Sequence, residues 1–361
     1  MITQIIRLPE IKQNKLWLTN LWFDCILLIL PSFLGLAFLL PYYILGPNSV
    51  VYIYFFQTFF LGGPHFFLSF YYIYYKKKDI RLAVVGFISL FSIIGIYFFF
   101  EYKNSSYSNI VFSIIFYLAA WHNYRQHYGI SKLYDTVLAK RFNGSDVQSD
   151  MRPLYTLYFL ILLAITHRGL NNTHFEINLI KDWTVSLIYP DIPDVLYKAY
   201  LFLIAVYSFF VIKKCVYIRF KKHKPMLLPQ YFILFSSAFT YYILFYLVDK
   251  SALLLVWLIP TIAHNIQYFG FVWLFEKKYA EKFDLKELAG LARLAKKNSW
   301  LYFYSLTLVG SIFTLLLTYA PNASWYIIFV YFVSMFHYLV DGFIWKKKYN
   351  TSVVSVVDQL G

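Results

Sequence analysis

The sequence predicts an all-α polytopic membrane protein, a bundle of about ten transmembrane helices with both termini cytoplasmic. Three observations predict it. Of the 361 residues, 60% are hydrophobic and only 14% are charged. Apolar runs of about 20 residues, the length that crosses a bilayer as a helix, recur along the whole chain. The basic residues, 33 Lys and Arg against 18 Asp and Glu, cluster between those runs.

Ten candidate spans follow in order: 18–45, 49–75, 80–100, 107–129, 153–170, 195–217, 229–248, 252–275, 299–320 and 323–345. The polar arm before the first carries Arg7, Lys12 and Lys15, and the segment after it is too long and aromatic for a cleaved signal peptide. With the N-terminus inside, the inner loops carry Lys76 to Lys78 with Arg81, then Lys132, Lys140, Arg141 and Arg152. Further along come Lys213 to Lys224, Lys277 to Lys297 and Lys346 to Lys348. The outer loops carry few cations, as the positive-inside rule requires. The formal charge of +15 therefore reads as topology, and no nucleic-acid partner is expected. Cys25 and Cys215 stand alone, which excludes a disulfide framework and a thiolate metal cage.

The chain reads as one transmembrane domain, 1–361, in a multi-pass membrane location, the plasma membrane in a bacterium. Residues 132–152 read as a polar loop, and the outer segment 171–194 has room for an interfacial helix. Residues 279–297 place Leu285, Leu288, Leu291 and Leu294 on one face with Lys and Arg opposite. That pattern predicts an amphipathic cytoplasmic helix between spans eight and nine, lying on the inner leaflet or packed on the bundle.

Five of the eight histidines fall inside spans: His65, His122, His127, His264 and His337. His223 lies in a basic loop, and His167 and His174 lie at the outer end of span five and beyond. Ionisable side chains at membrane depth face a bundle interior or a functional cavity. His65 precedes Lys76 by 11 residues, His122 precedes Lys132 by 10, His264 precedes Lys277 by 13, and His337 precedes Lys346 by 9. At 1.5 Å per residue these four lie roughly 14–20 Å inside the basic edge, within about one helical turn of each other. A lone buried histidine is most often structural, but four in one layer predict a shared site. His127 lies about 140° round the helix from His122 and about 7.5 Å nearer the inner face, at the rim of that layer or facing elsewhere.

Polar neighbours accompany them. His122 and Gln126, His264 and Gln267, and His337 and Asp341 are spaced three or four apart, on shared helical faces. Gln126, Gln267 and Asn265 are expected to support the ligands, as carboxamides beside metal-bound imidazoles do. Asp341 is expected to orient His337 or to ligate directly. Arg125 is expected to hold an anionic head group or to reach for the interface. WHNYRQHYG at 121–129 and AHNIQYFG at 263–270 share a pattern, suggesting a diverged internal repeat. Gly62, Gly63 and Pro64 just before His65, and Pro260 four residues before His264, are expected to break their helices and let side chains converge.

Imidazoles with a carboxylate suit a transition metal: iron foremost, with zinc, copper or haem b as alternatives. No HxxxH, HxxHH or HExxH occurs in the chain. In general plan, transmembrane histidines on separate helices without a soluble domain resemble the integral-membrane non-haem iron oxygenases, the bacterial carotenoid-cleaving dioxygenases among them. The expected function is metal-dependent oxidation of a lipid-soluble acyl, isoprenoid or polyene chain, with membrane lipids and an electron donor as partners. Two other classes stay open: a haem-binding electron-transfer protein, and a transporter with a histidine-lined pathway.

Overall fold

The computed structural model describes residues 17–72, 85–86, 88–90, 92, 105–141, 152–173, 176–180, 183–188, 191–220, 228–247, 253–288, 290–318, 334, 336–338, 340–341 and 360. These are helical apart from one hairpin and short turns. Most of the third and tenth candidate spans lies outside the described residues, although 336–338, which include His337, are helical.

The first candidate span is broken. Helix α1 (Leu21–Phe23), capped by the Asn20 side chain, runs into a π-helical turn at Asp24–Ile29. Helices α2 (Pro31–Leu36) and α3 (Leu39–Leu45) follow, and the two halves of the span meet at 53°. Pro31 has no N–H to continue the upstream ladder, so it opens a new helix at its first turn. In the second span, α4 (Ser49–Phe56) passes through a π-helical turn at Gln57–Gly62 into α5 (Gly63–Tyr71), with Pro64 in its first turn. The break expected before His65 is this π-helical turn, a feature frequent at functional sites.

Helix α6 (Ser105–Arg141) is longer than its span. The expected loop at 132–152 is helical as far as Arg141, because Tyr134, Val137 and Leu138 are buried in the core and Lys132 pairs with Asp135 at 2.9 Å. Helix α7 (Arg152–Thr173) leads to an antiparallel hairpin of β1 (Glu176–Ile180) and β2 (Trp183–Ser186). The hairpin stands where an interfacial helix was expected, a short exception within an all-α fold. Its Ile, Val, Thr and Trp residues favour a pleated strand over a helix, and β2 is tied to α6 where Ile188 N–H donates to Ser113 Oγ at 2.7 Å.

Helices α8 (Asp194–Phe220), α9 (Leu228–Leu247), α10 (Leu253–Ala280), α11 (Gly290–Lys297) and α12 (Ser299–Thr318) complete the order. The expected helix over 279–297 is confined to α11. Residues 281–288 turn instead, with Asp284 N–H donating to Glu287 Oε2 at 3.1 Å, and Gly290 enters α11 at φ 57°. Leu291, Ala292 and Ala295 are buried on α11, and Leu291 N–H donates to Tyr71 OH at 3.2 Å.

Among the described residues, three helices are long and apolar enough to cross a membrane: Arg152–Leu170, Asp194–Tyr217 and Leu254–Ala280. The bent pair at 21–45 makes a fourth if it is one span. Helix α10 is mostly buried and α8 mostly exposed, so α10 is central and α8 peripheral. Large apolar side chains stand exposed on the described helices, Trp22, Ile44, Val195 and Trp300 among them.

A buried latch gathers the chain at one end of α6. Asp24 Oδ2 accepts from Leu18 N–H at 2.6 Å and from Tyr134 OH at 2.5 Å. Asp24 Oδ1 accepts from Thr19 N–H at 3.2 Å and Thr19 OH at 3.1 Å. The Arg141 guanidinium donates to the carbonyls of Trp17, Leu18 and Leu360. Trp17, Leu18, Asp24 and Leu360 thus meet on one helix.

Candidate metal centre

Four helical segments deliver one imidazole each. His65 comes from α5, His122 from α6, His264 from α10 and His337 from the segment at 336–338. Their ligand nitrogens all lie within 4.8 Å of one another. His65 Nε2 is 2.7 Å from His337 Nε2 and 3.2 Å from His264 Nε2, and His337 Nε2 is 3.1 Å from His122 Nε2. Ring centroids trace a closed circuit: 4.8 Å from His65 to His264, 4.9 Å to His122, 4.8 Å to His337 and 4.1 Å back to His65. The diagonal from His264 to His337 is 6.2 Å. The four histidines can hold one metal ion, as their matched depth in the sequence predicts.

The donor atoms themselves fit an ion. Nε2 lone pairs at these separations repel one another unless a proton or a cation lies between them. With metal–nitrogen bonds of about 2.1 Å, neighbouring ligand nitrogens lie about 3.0 Å apart at right angles and about 3.4 Å apart at the tetrahedral angle. The observed edges of 2.7, 3.1 and 3.2 Å are of the size that neighbouring ligands on one ion have. Asp341 Oδ2 joins the same side of the circuit, 3.4 Å from His337 Nε2 and 3.9 Å from His122 Nε2. The carboxylate therefore faces the converging nitrogens rather than the back of a ring.

Close helix contact makes this convergence possible. A Cβ on Gly63 would lie 2.0 Å from Thr314 Oγ1, and one on Gly310 would lie 2.2 Å from Pro64 N. The Gly-Gly-Pro segment thus brings α5 directly against the α12 backbone, as small residues do between membrane helices. In contrast, α10 continues through Pro260 as one helix, so the break expected there does not occur.

The other expected residues are placed differently. Gln126 Nε2 donates to the His264 carbonyl at 2.9 Å and to Gln267 Oε1 at 3.1 Å, and Gln267 Nε2 donates to the Leu28 carbonyl at 2.8 Å. Both amides therefore brace the backbone of α10 against α6 and the first span, and they hold His264 through its main chain. Asn265 is buried, and its Nδ2 has no hydrogen-bond partner. His127 is outside the circuit: its Nδ1 lies 2.8 Å from the Asn123 carbonyl and its ring faces Tyr158. Arg125 is exposed on α6, and His167 lies on α7 beside Tyr197. His174 and His223 lie outside the described residues.

Two supporting residues escaped the sequence reading. Ser69 Oγ lies 2.5 Å from His337 Nδ1, and Tyr268 OH donates to Asp341 Oδ1 at 3.0 Å. When His337 Nε2 binds an ion, its Nδ1 carries the proton and donates to Ser69 Oγ. Ser69 is four residues beyond His65 and Tyr268 four beyond His264, so helical spacing could have found both. The Nδ1 atoms of His65 and His264 are buried without hydrogen-bond partners. Aromatic rings close the surroundings, with Tyr268 at 4.2 Å from His65, Tyr338 at 4.5 Å from His122 and Phe66 at 6.0 Å from His337. Compared with protein-family models, with curated proteins and with solved structures, the chain matches none.

Proposed function

We propose that the protein is an integral-membrane oxidoreductase that holds a single transition-metal ion, iron by preference, and acts on a lipid-soluble substrate. The observation that carries this reading is the convergence of four Nε2 atoms from segments far apart in the chain. A mixed imidazole and carboxylate set suits iron. Haem is disfavoured, since the nitrogens of all four imidazoles meet in the volume that a macrocycle and its two axial ligands would need.

His65, His122, His264 and His337 hold the ion, and Asp341 supplies a carboxylate oxygen at the edge between His122 and His337. Ser69 and Tyr268 fix the orientation of His337 and Asp341. The bound ion supplies activation of dioxygen for insertion into, desaturation of or cleavage of a substrate carbon chain. Phe66, Tyr268 and Tyr338 exclude bulk water and present apolar faces to an acyl, isoprenoid or polyene chain. A reductant is the remaining partner where the reaction consumes electrons. In topology, ten spans with both termini cytoplasmic place this site in the inner half of the bilayer, within reach of a substrate dissolved in lipid.

The test is reconstitution of the purified protein with iron(II) and ascorbate as electron donor in vesicles containing an unsaturated acyl lipid, an isoprenoid or a carotenoid, beside protein-free vesicles with the same additions. Oxygen uptake and a product changed in mass by oxygen atoms or by loss of hydrogen are expected, and both should vanish in His264→Ala. Oxygen uptake equal to that of protein-free vesicles with every substrate class would contradict the enzymatic reading.

A further inference from the structure

A second set of buried polar atoms lies along the seam where α6 meets α7 and α9. Ser131 Oγ and His127 Nε2 on α6, Tyr155 OH on α7 and Gln230 Oε1 on α9 are all buried and have no hydrogen-bond partner among the described residues. Printed neighbours order them into layers. At the charged end, Gln230 Nε2 donates to the Ser131 carbonyl at 2.9 Å, and the Lys132 ammonium lies 5.7 Å from the Tyr155 ring. One turn deeper, the His127 ring faces Tyr158, whose hydroxyl is 2.7 Å from Ser237 Oγ. Deeper again, Asn123 Nδ2 reaches Tyr241 OH at 3.5 Å. Asn123 adjoins His122, a member of the metal circuit.

Each buried polar atom left unbonded costs about 1–3 kcal/mol, and four along one seam cannot be left so in a stable bundle. Their chemistry suits water. The His127 Nδ1–H is committed to the Asn123 carbonyl, so Nε2 is an acceptor. Gln230 Oε1 is also an acceptor, while Ser131 and Tyr155 both donate and accept. Buried water takes two to four such partners and is found where polar groups lack them.

We propose that this seam holds a file of hydrogen-bonded water leading from the Lys132 and Asp135 end of α6 to Asn123 and His122, which supplies water and protons to the histidine site. The delivery role rests on the reading of that site as a metal centre. Protons move along such a file by exchange of O–H···O bonds, each water taking one proton and releasing another, so that nothing in the seam is consumed.

The experiment is hydroxyl-radical footprinting by X-ray radiolysis of the purified, metal-free protein, in which radicals form from water already bound beside a side chain. Tyr134 is the internal control, since it is equally buried and its hydroxyl is bonded to Asp24. Tyr155 and Tyr158 should label roughly tenfold faster than Tyr134 if each has ordered water beside it. Labelling of both at the Tyr134 rate would overturn the proposal. Elemental analysis of the same protein after separate reconstitution with iron(II) separates the two readings. Fast labelling with no metal in the reconstituted parent would remove the delivery role along with the metal reading and leave the water file standing. Bound metal with slow labelling would remove the file alone.

Discussion

The Nε2 atoms of His65 and His337 lie 2.7 Å apart although 272 residues separate them in the chain. Two neutral imidazoles can share one proton at that distance, but His264 and His122 continue the circuit at 3.2 and 3.1 Å. One ion at the centre would satisfy all four lone pairs at once.

The Ser69 contact should be needed for tight binding. Ser69→Ala removes the acceptor for His337 Nδ1–H. Loss of such a partner typically weakens metal affinity 10- to 100-fold. Titration of the apo protein with iron(II) or cobalt(II) should show that loss, on top of a fall of about 1–3 kcal/mol in apo stability from the unpaired buried nitrogen. Tyr268→Phe should act in the same direction through Asp341.

His127→Ala should keep the ion. Its ring is outside the metal circuit and anchored on the Asn123 carbonyl. Metal content per chain should equal that of the parent. A loss of metal as complete as in His122→Ala would place His127 among the ligands.

Gly310→Ala tests the approach of α5 to α12. The added Cβ would meet Pro64 N at 2.2 Å, so the helices must separate. Overpacking of this kind costs about 1–3 kcal/mol or more. The thermal transition in detergent should fall, and metal affinity should fall with it because His65 follows Pro64 directly.

Asp24→Ala tests the latch. It orphans the donors of Leu18, Thr19 and Tyr134, at about 1–3 kcal/mol for each that stays buried. Limited proteolysis should open the chain near residue 17 in the variant and leave the parent intact.

The site was more legible in the sequence than the fold around it. Helical rise is constant and Lys marks the membrane edge, so counting residues back from Lys76, Lys132, Lys277 and Lys346 placed four histidines in one layer. Counting along a helix does not reveal which face a side chain takes. Depth left His127 at the rim of the layer or facing elsewhere, and its packing against Tyr158 decides for the second. Gln126 and Gln267 sat at the right spacing for ring contacts, but they bind backbone. The extension of α6 to Arg141 was hidden because its polar sequence conceals Tyr134, Val137 and Leu138, three buried residues at helical spacing. The hairpin at 176–186 was hidden because its strands are short and follow a long helical run.

The most direct measurement is metal content per chain with an optical spectrum, on the parent and on His65→Ala, His122→Ala, His264→Ala and His337→Ala. The account predicts close to one transition-metal ion per parent chain, no porphyrin band, and a sharp drop in all four variants. A parent that takes up no transition metal, or variants that retain it in full, would contradict it.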